Sequence, residues 1–262
     1  MYRAKAKFTG SEQVDDIRIN FIDEVKWNGK TYKKNTLSFQ APVSGTIYGT
    51  LFNFRDQQKA MKEKFHEMPY NEPPIRPVLY IKPRNTINSH QHPIPVPSGK
   101  SGVEVNATIG VIIGRNATHL TKQDALSYVD GYTVVNDVST AHDSFFRPAI
   151  KNKARDGFCS VGPWIIAREE VPDLNQLMIR TFCNGDLVHV SNTKNLVRSI
   201  PQLLAEVTEF MTLYKGDMLL IGIPNNAPIA SPGDTVKIVI DQIGTLVNPI
   251  IEESTIKPGG AL

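Results

Sequence analysis

Residues 131–139 have the sequence GYTVVNDVS, in which an apolar run ends at Asn136 and Asp137. The β-branched side chains of this run favour a strand. A second apolar run, VGPWII, occupies residues 161–166, and a charged segment lies between the two. Strand ends lead into loops, where binding groups are common. The two runs therefore predict a β-rich core with a polar site beside Asp137.

Short apolar runs of strand length recur along the whole chain. We predict strands at residues 39–49, 78–81, 103–114, 133–136, 164–167, 177–184, 217–222, 235–240 and 244–248. Gly-Asp pairs at 216–217 and 233–234 mark turns between some of them. The many short strands indicate a mainly β fold with a few helices, of the α+β class and mostly antiparallel.

Helical spacing is confined to three segments. Residues 53–65 carry charged and apolar side chains at helical spacing. Thr121 and Asp124 form a capping box for a second helix that extends to about residue 129. Ser199 is placed to cap a third helix with Pro201 in its first turn. The predicted apolar face of that helix consists of Leu203, Leu204, Val207, Phe210 and Met211.

The chain divides into three predicted segments. Residues 1–40 form a small β-rich appendage with a hairpin turn at Asn28 and Gly29, residues 41–254 form the main domain, and residues 255–262 form a flexible tail. Residues 68–100 are rich in proline, which is typical of a linker or of edge strands and loops. The apolar run at 78–81 favours strands and wall loops within the main domain.

Charge and composition argue against several partner classes. Lys plus Arg number 29 against 26 for Asp plus Glu, and no basic run is long enough for nucleic acid. No apolar run approaches the roughly 18 residues of a membrane span, so we expect a cytoplasmic protein. Cys159 and Cys183 do not form a disulfide framework and are expected to be reduced. Neither a glycine-rich phosphate loop nor an HExxH or GxSxG motif occurs, so we expect no nucleotide cofactor.

Two polar features could carry chemistry. Asp137 suits an oxygen ligand of a hard cation, although an Asp at a turn is a common alternative. Residues 147–157 contain four cations, among them Arg147, Lys153 and Arg155. Such a segment can clamp the carboxylates of a small anionic substrate, but a solvated basic loop is the alternative that composition favours.

The order of several short motifs resembles the fumarylacetoacetate hydrolase family. The resemblance covers roughly residues 45–253. Finer matches at residues 82–86 and 146–159 resemble the isomerases and decarboxylases of this family that act in aromatic catabolism. The matching pieces are GYTVVNDVS (131–139), KARDGF (153–158), VGPWI (161–165), YIKP (80–83), PIP (93–95), VIIG (111–114), KGD (215–217), SPGD (231–234) and GTLVN (244–248).

The resemblance implies a mixed β-roll or sandwich, usually dimeric, that holds Mg²⁺ or Mn²⁺ against a 2-oxo acid. Asp137 matches the metal-binding Asp of the family, and Lys153 matches its active-site Lys. The two Glu of the family's E-x-E strand fall on Asn106 and Thr108, both neutral. Because Mg²⁺ usually needs more than one carboxylate, the sequence predicts a weak or absent metal site.

Other family positions are altered as well. The His and Glu of the family lid fall on Gln57 and Ala60, and an Arg and a Gln that often follow the metal Asp fall on Ala141 and Ser144. The Thr of a G-T-P motif appears as Ile223. Of the family's site residues, Lys153 and Asp137 are therefore the candidates that remain for catalysis.

From these residues we expect an isomerase for a small 2-oxo or 2-hydroxy-dienoic dicarboxylate, with possible decarboxylase activity. Lys153 would stabilise an enolate or carry its proton, while Lys82, Arg147, Arg155 and Gln57 would bind the substrate. The alternatives are a catalytically silent subunit paired with an intact paralogue, or a divergent C–C hydrolase. The expected assembly is a homodimer or a heterodimer with such a paralogue.

Overall fold

The computed structural model describes residues 1–142 and 149–256, and in this part of the chain a twelve-stranded mixed sheet forms the centre of the fold. A five-stranded sheet packs against one of its faces, and two short strands form a separate pair. The mainly β architecture predicted from the sequence is confirmed. The strands are β1 Tyr2–Phe8, β2 Val14–Ile19, β3 Glu24–Trp27, β4 Lys30–Lys33, β5 Phe39–Gln40, β6 Ile47–Leu51, β7 Val78–Lys82, β8 Ile87–Ser89, β9 Ile94–Val96, β10 Val103–Glu104, β11 Ala107–Ile113, β12 Val129–Asp137, β13 Cys159–Ala167, β14 Met178–Cys183, β15 Asp186–Asn192, β16 Met218–Leu220, β17 Ile229–Ala230, β18 Thr235–Ile240 and β19 Gly244–Glu252.

The strand order determines where the site lies. The large sheet runs β4-β3-β2-β1-β13-β12-β11-β16-β6-β7, with β5 beside β1 and β8 beside β13. The small sheet runs β15-β14-β18-β19-β9. Most neighbours are antiparallel, and the parallel pairs are β6 with β16, β8 with β13, and β9 with β19. Strands β11, β12 and β13 are consequently central and buried along nearly their whole length.

The two faces of the large sheet differ. Residues directly opposite each other in neighbouring strands share a face, as Thr108 and Val135 do. The face that contains Asp137 carries a small apolar cluster that includes Ile47, Val135 and Val161. The opposite face packs against the small sheet and forms the main core, which includes Trp164 and Tyr132. The main core therefore packs against one face of the central strands, and the site forms on the opposite face, which contains Asp137.

The first 40 residues form strands that extend the large sheet. Asn28 and Gly29 have positive φ angles of 48° and 75°, which gives the two-residue hairpin predicted between β3 and β4. Strand β1 pairs with β13, with Ala4 opposite Ile166. Because this pairing joins a strand before residue 40 to a strand after it, both predicted segments contribute to one sheet. The division of the chain at residue 40 stays a prediction.

A buried histidine connects this N-terminal region with the small sheet. The ring of His90 lies edge-on to Phe39, and its Nδ1 accepts a hydrogen bond from the backbone N–H of Val247 at 3.1 Å. Burial, with a smaller contribution from the Lys34 charge, lowers the pKa of His90 to about 4. The neutral imidazole is therefore the form that fits this contact.

The helices are short: α1 is Arg55–Ala60, α2 is Ile150–Lys153 and α3 is Ile200–Thr208. Helix α3 buries Leu203, Leu204 and Val207 as expected, but it ends before Phe210, which is 65% exposed. Ser199 is the N-cap residue and Pro201 lies in the first turn, as predicted, but the Ser199 side chain makes no capping hydrogen bond. The predicted helix after Thr121 is a turn followed by a 3-10 helix at Ala125–Tyr128.

The proline-rich region contributes β7, β8 and β9, so its interpretation as strands and loops is confirmed, while its assignment to the main domain stays a prediction. Strands β8 and β9 are parallel edge additions of three residues each, where a proline without an N–H is tolerated. No helix in the described residues is long and apolar enough to cross a membrane.

Candidate active site

The candidate site forms where β7, the end of β12 and the end of α2 meet. Tyr80 and Lys82 lie two residues apart on β7 and therefore point to the same face. Asp137 is the last residue of β12, and Lys153 is the last residue of α2. Gly49 lies opposite Tyr80 on β6, and a Cβ there would come within 2.0 Å of the Tyr80 ring. The missing side chain at Gly49 thus leaves room for the tyrosine beside the cluster.

Asp137 is the centre of this cluster. Its carboxylate is fully buried, with Lys82 Nζ 2.9 Å from Oδ1 and Lys153 Nζ 3.4 Å from Oδ2. The Tyr80 hydroxyl donates a short hydrogen bond to Oδ2. The contact with Lys82 is a close ion pair without the alignment of a hydrogen bond. Both oxygens of the carboxylate are therefore in contact with positively polarised groups.

Three oxygen atoms surround the Lys82 ammonium. Nζ donates to the backbone carbonyl oxygens of Lys153 at 2.6 Å and of Val138 at 3.1 Å, in addition to its ion pair with Asp137. The Lys82 side chain has no exposed surface. Two of its three N–H groups therefore donate to carbonyl oxygens, and its charge pairs with Asp137. Through these contacts, Lys82 on β7 connects the end of β12 with the end of α2.

Lys153 has a different environment. Its Nζ is on the long side of hydrogen-bond distance from Asp137 and lies 4.9 Å from the centre of the Tyr80 ring, a cation–π contact. The side chain is 6% exposed. Burial lowers the pKa of Lys153 below its ordinary value, and the Asp137 charge offsets part of that effect. Lys153 is thus held loosely by comparison with Lys82.

The charges in the cluster shift one another's protonation. Burial by itself would raise the pKa of Asp137, but the Lys153 and Lys82 ammonium groups and the Tyr80 hydroxyl outweigh it, so the pKa lies below its usual value. Burial and the neighbouring carboxylate raise the pKa of Tyr80 well above 10. Asp137 therefore carries its charge and Tyr80 keeps its proton at neutral pH.

The predicted metal ligands have other partners. Asn106 Nδ2 donates to the Asp137 backbone carbonyl at 3.0 Å and to Ser139 Oγ at 3.2 Å. The Thr108 hydroxyl donates to the Gly222 carbonyl at 2.5 Å. Ser139 in turn donates to Glu104 at 2.6 Å. Neither Asn106 nor Thr108 therefore presents an anionic oxygen beside Asp137.

This donor set does not fit Mg²⁺ or Mn²⁺. The cluster has one carboxylate, and that carboxylate already contacts two ammonium groups. Residues 1–142 and 149–256 contain no group of three or more His, Cys, Asp or Glu side chains arranged to hold a metal ion. A divalent cation needs several oxygen ligands and charge compensation, which this arrangement does not supply.

Three of the other predicted site residues lie apart from this cluster or outside the described chain. Gln57 is buried in α1, where its side-chain oxygen accepts a hydrogen bond from the Phe52 N–H at 2.7 Å. Arg155 forms an ion pair with Glu253 at 2.7 Å. Arg147 lies outside the described residues, as does Ser144. Their roles in binding a substrate stay predictions.

Sequence reasoning missed Tyr80. The alternation of β7 was the available signal, because it puts Tyr80 on the same face as Lys82. Cys159 lies opposite Asp137 on β13 and was predicted to be reduced. Burial raises the pKa of its thiol to about 12, so this cysteine is not a nucleophile at neutral pH.

Comparisons with known proteins agree with this architecture. Residues 46–251 match the model of the fumarylacetoacetate (FAA) hydrolase C-terminal family. The chain is 40% identical over 211 residues to the 4-hydroxyphenylacetate degradation bifunctional isomerase/decarboxylase of Escherichia coli, covering 80% of this chain and 48% of that protein. It therefore spans about half the length of the curated relatives that it matches first.

Solved structures show the same fold. The 5-carboxymethyl-2-hydroxymuconate delta-isomerase of Mycobacterium smegmatis superposes with a TM-score of 0.79 at 25% identity, covering 95% of this chain and 99% of that one. A maleylpyruvate hydrolase from Sphingobium sp. SYK-6, in complex with manganese(II) and pyruvate, superposes with a TM-score of 0.77 at 22% identity, covering 95% and 99%. The second likeness concerns the fold alone.

Proposed function

Because the chain belongs to the fumarylacetoacetate hydrolase family, we propose that it is an isomerase of a small 2-oxo or 2-hydroxy-dienoic dicarboxylate. The Escherichia coli relative is named a bifunctional isomerase/decarboxylase of 4-hydroxyphenylacetate degradation, and the Mycobacterium smegmatis neighbour is named a 5-carboxymethyl-2-hydroxymuconate delta-isomerase. The reaction would move a proton between carbon and oxygen of a dienol. Lys153 is the residue that we propose to act on the substrate.

The observation that supports this proposal is the charge of the buried cluster. In the described part of the chain, Asp137 is the one carboxylate within 4.0 Å of the ammonium groups of Lys82 and Lys153. Two buried cations facing one anion are costly unless a further anion compensates them. An anionic substrate bound beside Lys153 would supply that compensation.

The chemistry needs a proton carrier and a group that stabilises an oxyanion. When a proton leaves carbon, negative charge develops on the neighbouring oxygen, and a nearby ammonium group stabilises it. The Lys153 amine can also carry the transferred proton, since keto–enol isomerisation moves one proton between two positions. Asp137 and Tyr80 hold the Lys153 side chain in position for either step.

Other reactions of the family receive less support. Decarboxylation and C–C bond hydrolysis need a stronger electron sink, which a divalent metal often supplies. The donor set around Asp137 does not fit such a metal, so we derive no step through one. Binding of the two substrate carboxylates by Gln57, Arg147 and Arg155 is part of the proposal. Arg155 would have to break its ion pair with Glu253 in order to bind the substrate.

A second candidate is a silent subunit that pairs with an intact paralogue. The observation in its favour is that neutral Asn106 and Thr108 stand where the family's two metal-binding Glu are expected. Either candidate is compatible with a homodimer or a heterodimer.

A turnover assay separates the two candidates. The purified chain is incubated with 2-hydroxyhepta-2,4-diene-1,7-dioate, and the dienol absorbance is followed with and without Mg²⁺. The isomerase proposal predicts loss of absorbance by the chain alone. Turnover that requires an added paralogue would instead support the silent subunit, and light scattering of the mixture would report whether the two chains associate.

A further inference from the structure

The Lys82 ammonium lies in an oxygen-lined position. Its three neighbours are one carboxylate oxygen of Asp137, at 2.9 Å, and the backbone carbonyl oxygens of Val138 and Lys153, at 3.1 Å and 2.6 Å. Carboxylate and carbonyl oxygens are also the groups that bind hard metal cations. The Lys82 ammonium therefore occupies the kind of oxygen-lined position in which a metal cation binds, although here the cation is part of a side chain.

A divalent cation at Asp137 would compete with this ammonium. An ion in contact with Oδ1 would stand close to Lys82 Nζ, and like charges repel strongly where little water screens them. The Lys82 side chain is completely buried and has no solvent into which it could turn. The other carboxylate oxygen is in contact with Tyr80 and Lys153.

We propose that Lys82 serves as a resident cation in place of a divalent metal, so that this chain assembles its site without a metal ion. The ammonium balances the Asp137 charge and holds the ends of β12 and α2 together through the two carbonyls. Lys82 is then a positioning residue, and Lys153 remains the group that faces the substrate. The inference concerns the site of the proposed function, and its relevance to catalysis rests on that function.

Metal binding by the unmodified protein is the first test. Calorimetry with MgCl₂ and with MnCl₂, and the Mn²⁺ electron paramagnetic resonance signal, should show no stoichiometric binding at dissociation constants below about 1 mM. Binding of one equivalent at a dissociation constant below about 1 mM would overturn the inference. This measurement requires neither a variant nor a substrate.

Two matched variants test whether Lys82 occupies a cation position. Lys82→Ala removes the ammonium and opens space between the three oxygens, whereas Lys82→Met removes the charge but fills most of that space. Both should unfold at a lower temperature than the unmodified protein. Methylammonium or Mn²⁺ should then raise the melting temperature of Lys82→Ala by about 3 °C or more, with little effect on Lys82→Met.

A folded Lys82→Ala protein that responds to neither cation, compared with NaCl at equal ionic strength, would contradict the inference. If neither variant folds, metal binding by the unmodified protein still decides it. The outcomes are independent of turnover. Absence of isomerase activity together with these binding results would remove the proposed function and leave the resident cation in place.

Discussion

Lys153 and Arg155 are two residues apart in one cationic segment, yet their ion pairs lie in opposite environments. Lys153 is 6% exposed and faces the fully buried Asp137, whereas Arg155 is 29% exposed and pairs with Glu253, itself 37% exposed. The Lys153 contact with Asp137 is the longer, at 3.4 Å against 2.7 Å. Distance alone would therefore rank the exposed pair above the buried one.

Burial, rather than distance, decides how strongly an ion pair affects stability. A partly exposed pair gains little because water and salt screen it. A buried charge that loses its partner stays in a medium of low polarity and becomes costly. We therefore expect large effects at the Asp137 cluster and small ones at the Arg155 pair.

The largest expected effect comes from Asp137→Asn. The substitution keeps the shape of the side chain but leaves the Lys82 and Lys153 ammonium groups buried without a counter-ion. The free energy of unfolding should fall by about 3–5 kcal/mol in urea titrations followed by circular dichroism. Asp130→Asn, which removes the surface partner of Lys5, is the matched control and should cost about 1 kcal/mol or less. Equal losses for the two variants would show that burial is not the decisive factor.

Lys153→Ala should have the next largest effect, and on the reaction. Loss of the proton carrier should reduce kcat/KM for the dienol substrate by about 10²-fold or more. Lys151→Ala, an exposed position of the same helix, provides the control and should stay within a few-fold of the unmodified chain. A Lys153→Ala protein with full activity would remove the proposed catalytic group.

The buried side chain of His90 extends the comparison to the dependence of stability on pH. The pKa of His90 is about 4 in the folded protein, below its ordinary value of 6.5, so the unfolded chain takes up a proton first as the pH falls. The stability from this site is complete above pH 6.5 and decreases between pH 6.5 and 4. Between pH 7 and 5 the loss should be about 2 kcal/mol.

Urea titrations of the His90→Asn variant provide the check. Asparagine retains an oxygen that can accept the Val247 N–H but does not titrate in this range. Its free energy of unfolding should therefore fall less between pH 7 and 5 than that of the unmodified protein. An unchanged pH dependence would assign the acid sensitivity to other groups.

The smallest effect is expected for the exposed pair. Arg155→Ala should lower the free energy of unfolding by about 1 kcal/mol or less, and less again in 1 M NaCl. A double-mutant cycle with Glu253→Ala isolates the coupling between the two side chains. A coupling above about 3 kcal/mol would show that this pair is as consequential as the buried one.

Much of the fold could be predicted because short-range patterns carry it. The hairpin at Asn28 and Gly29 follows from residues that tolerate positive φ, and β18 occupies the predicted residues 235–240 with alternating burial. Strand β15 was missed because its first residues are exposed although it pairs with β14. The failed helix after Thr121 shows that a capping pair does not by itself extend a helix.

The candidate site was only partly predictable. Asp137 and Lys153 were identified by family order, and the structure brings them together with Lys82. Which of the neighbouring cations would be buried could not be predicted from residue type or spacing. Tyr80 was not identified because its contact with Asp137 joins residues 57 positions apart.

Most of the strands, the position of Asp137 at a strand end, and the neutral residues at 106 and 108 could be read from the sequence. These are properties of local pattern and residue type. The folded chain alone shows that one carboxylate faces two ammonium groups, and that Lys82 rather than Arg155 lies against it. The physical reason is that charge interactions depend on burial and distance, and strands distant in sequence become neighbours only when the sheet is formed.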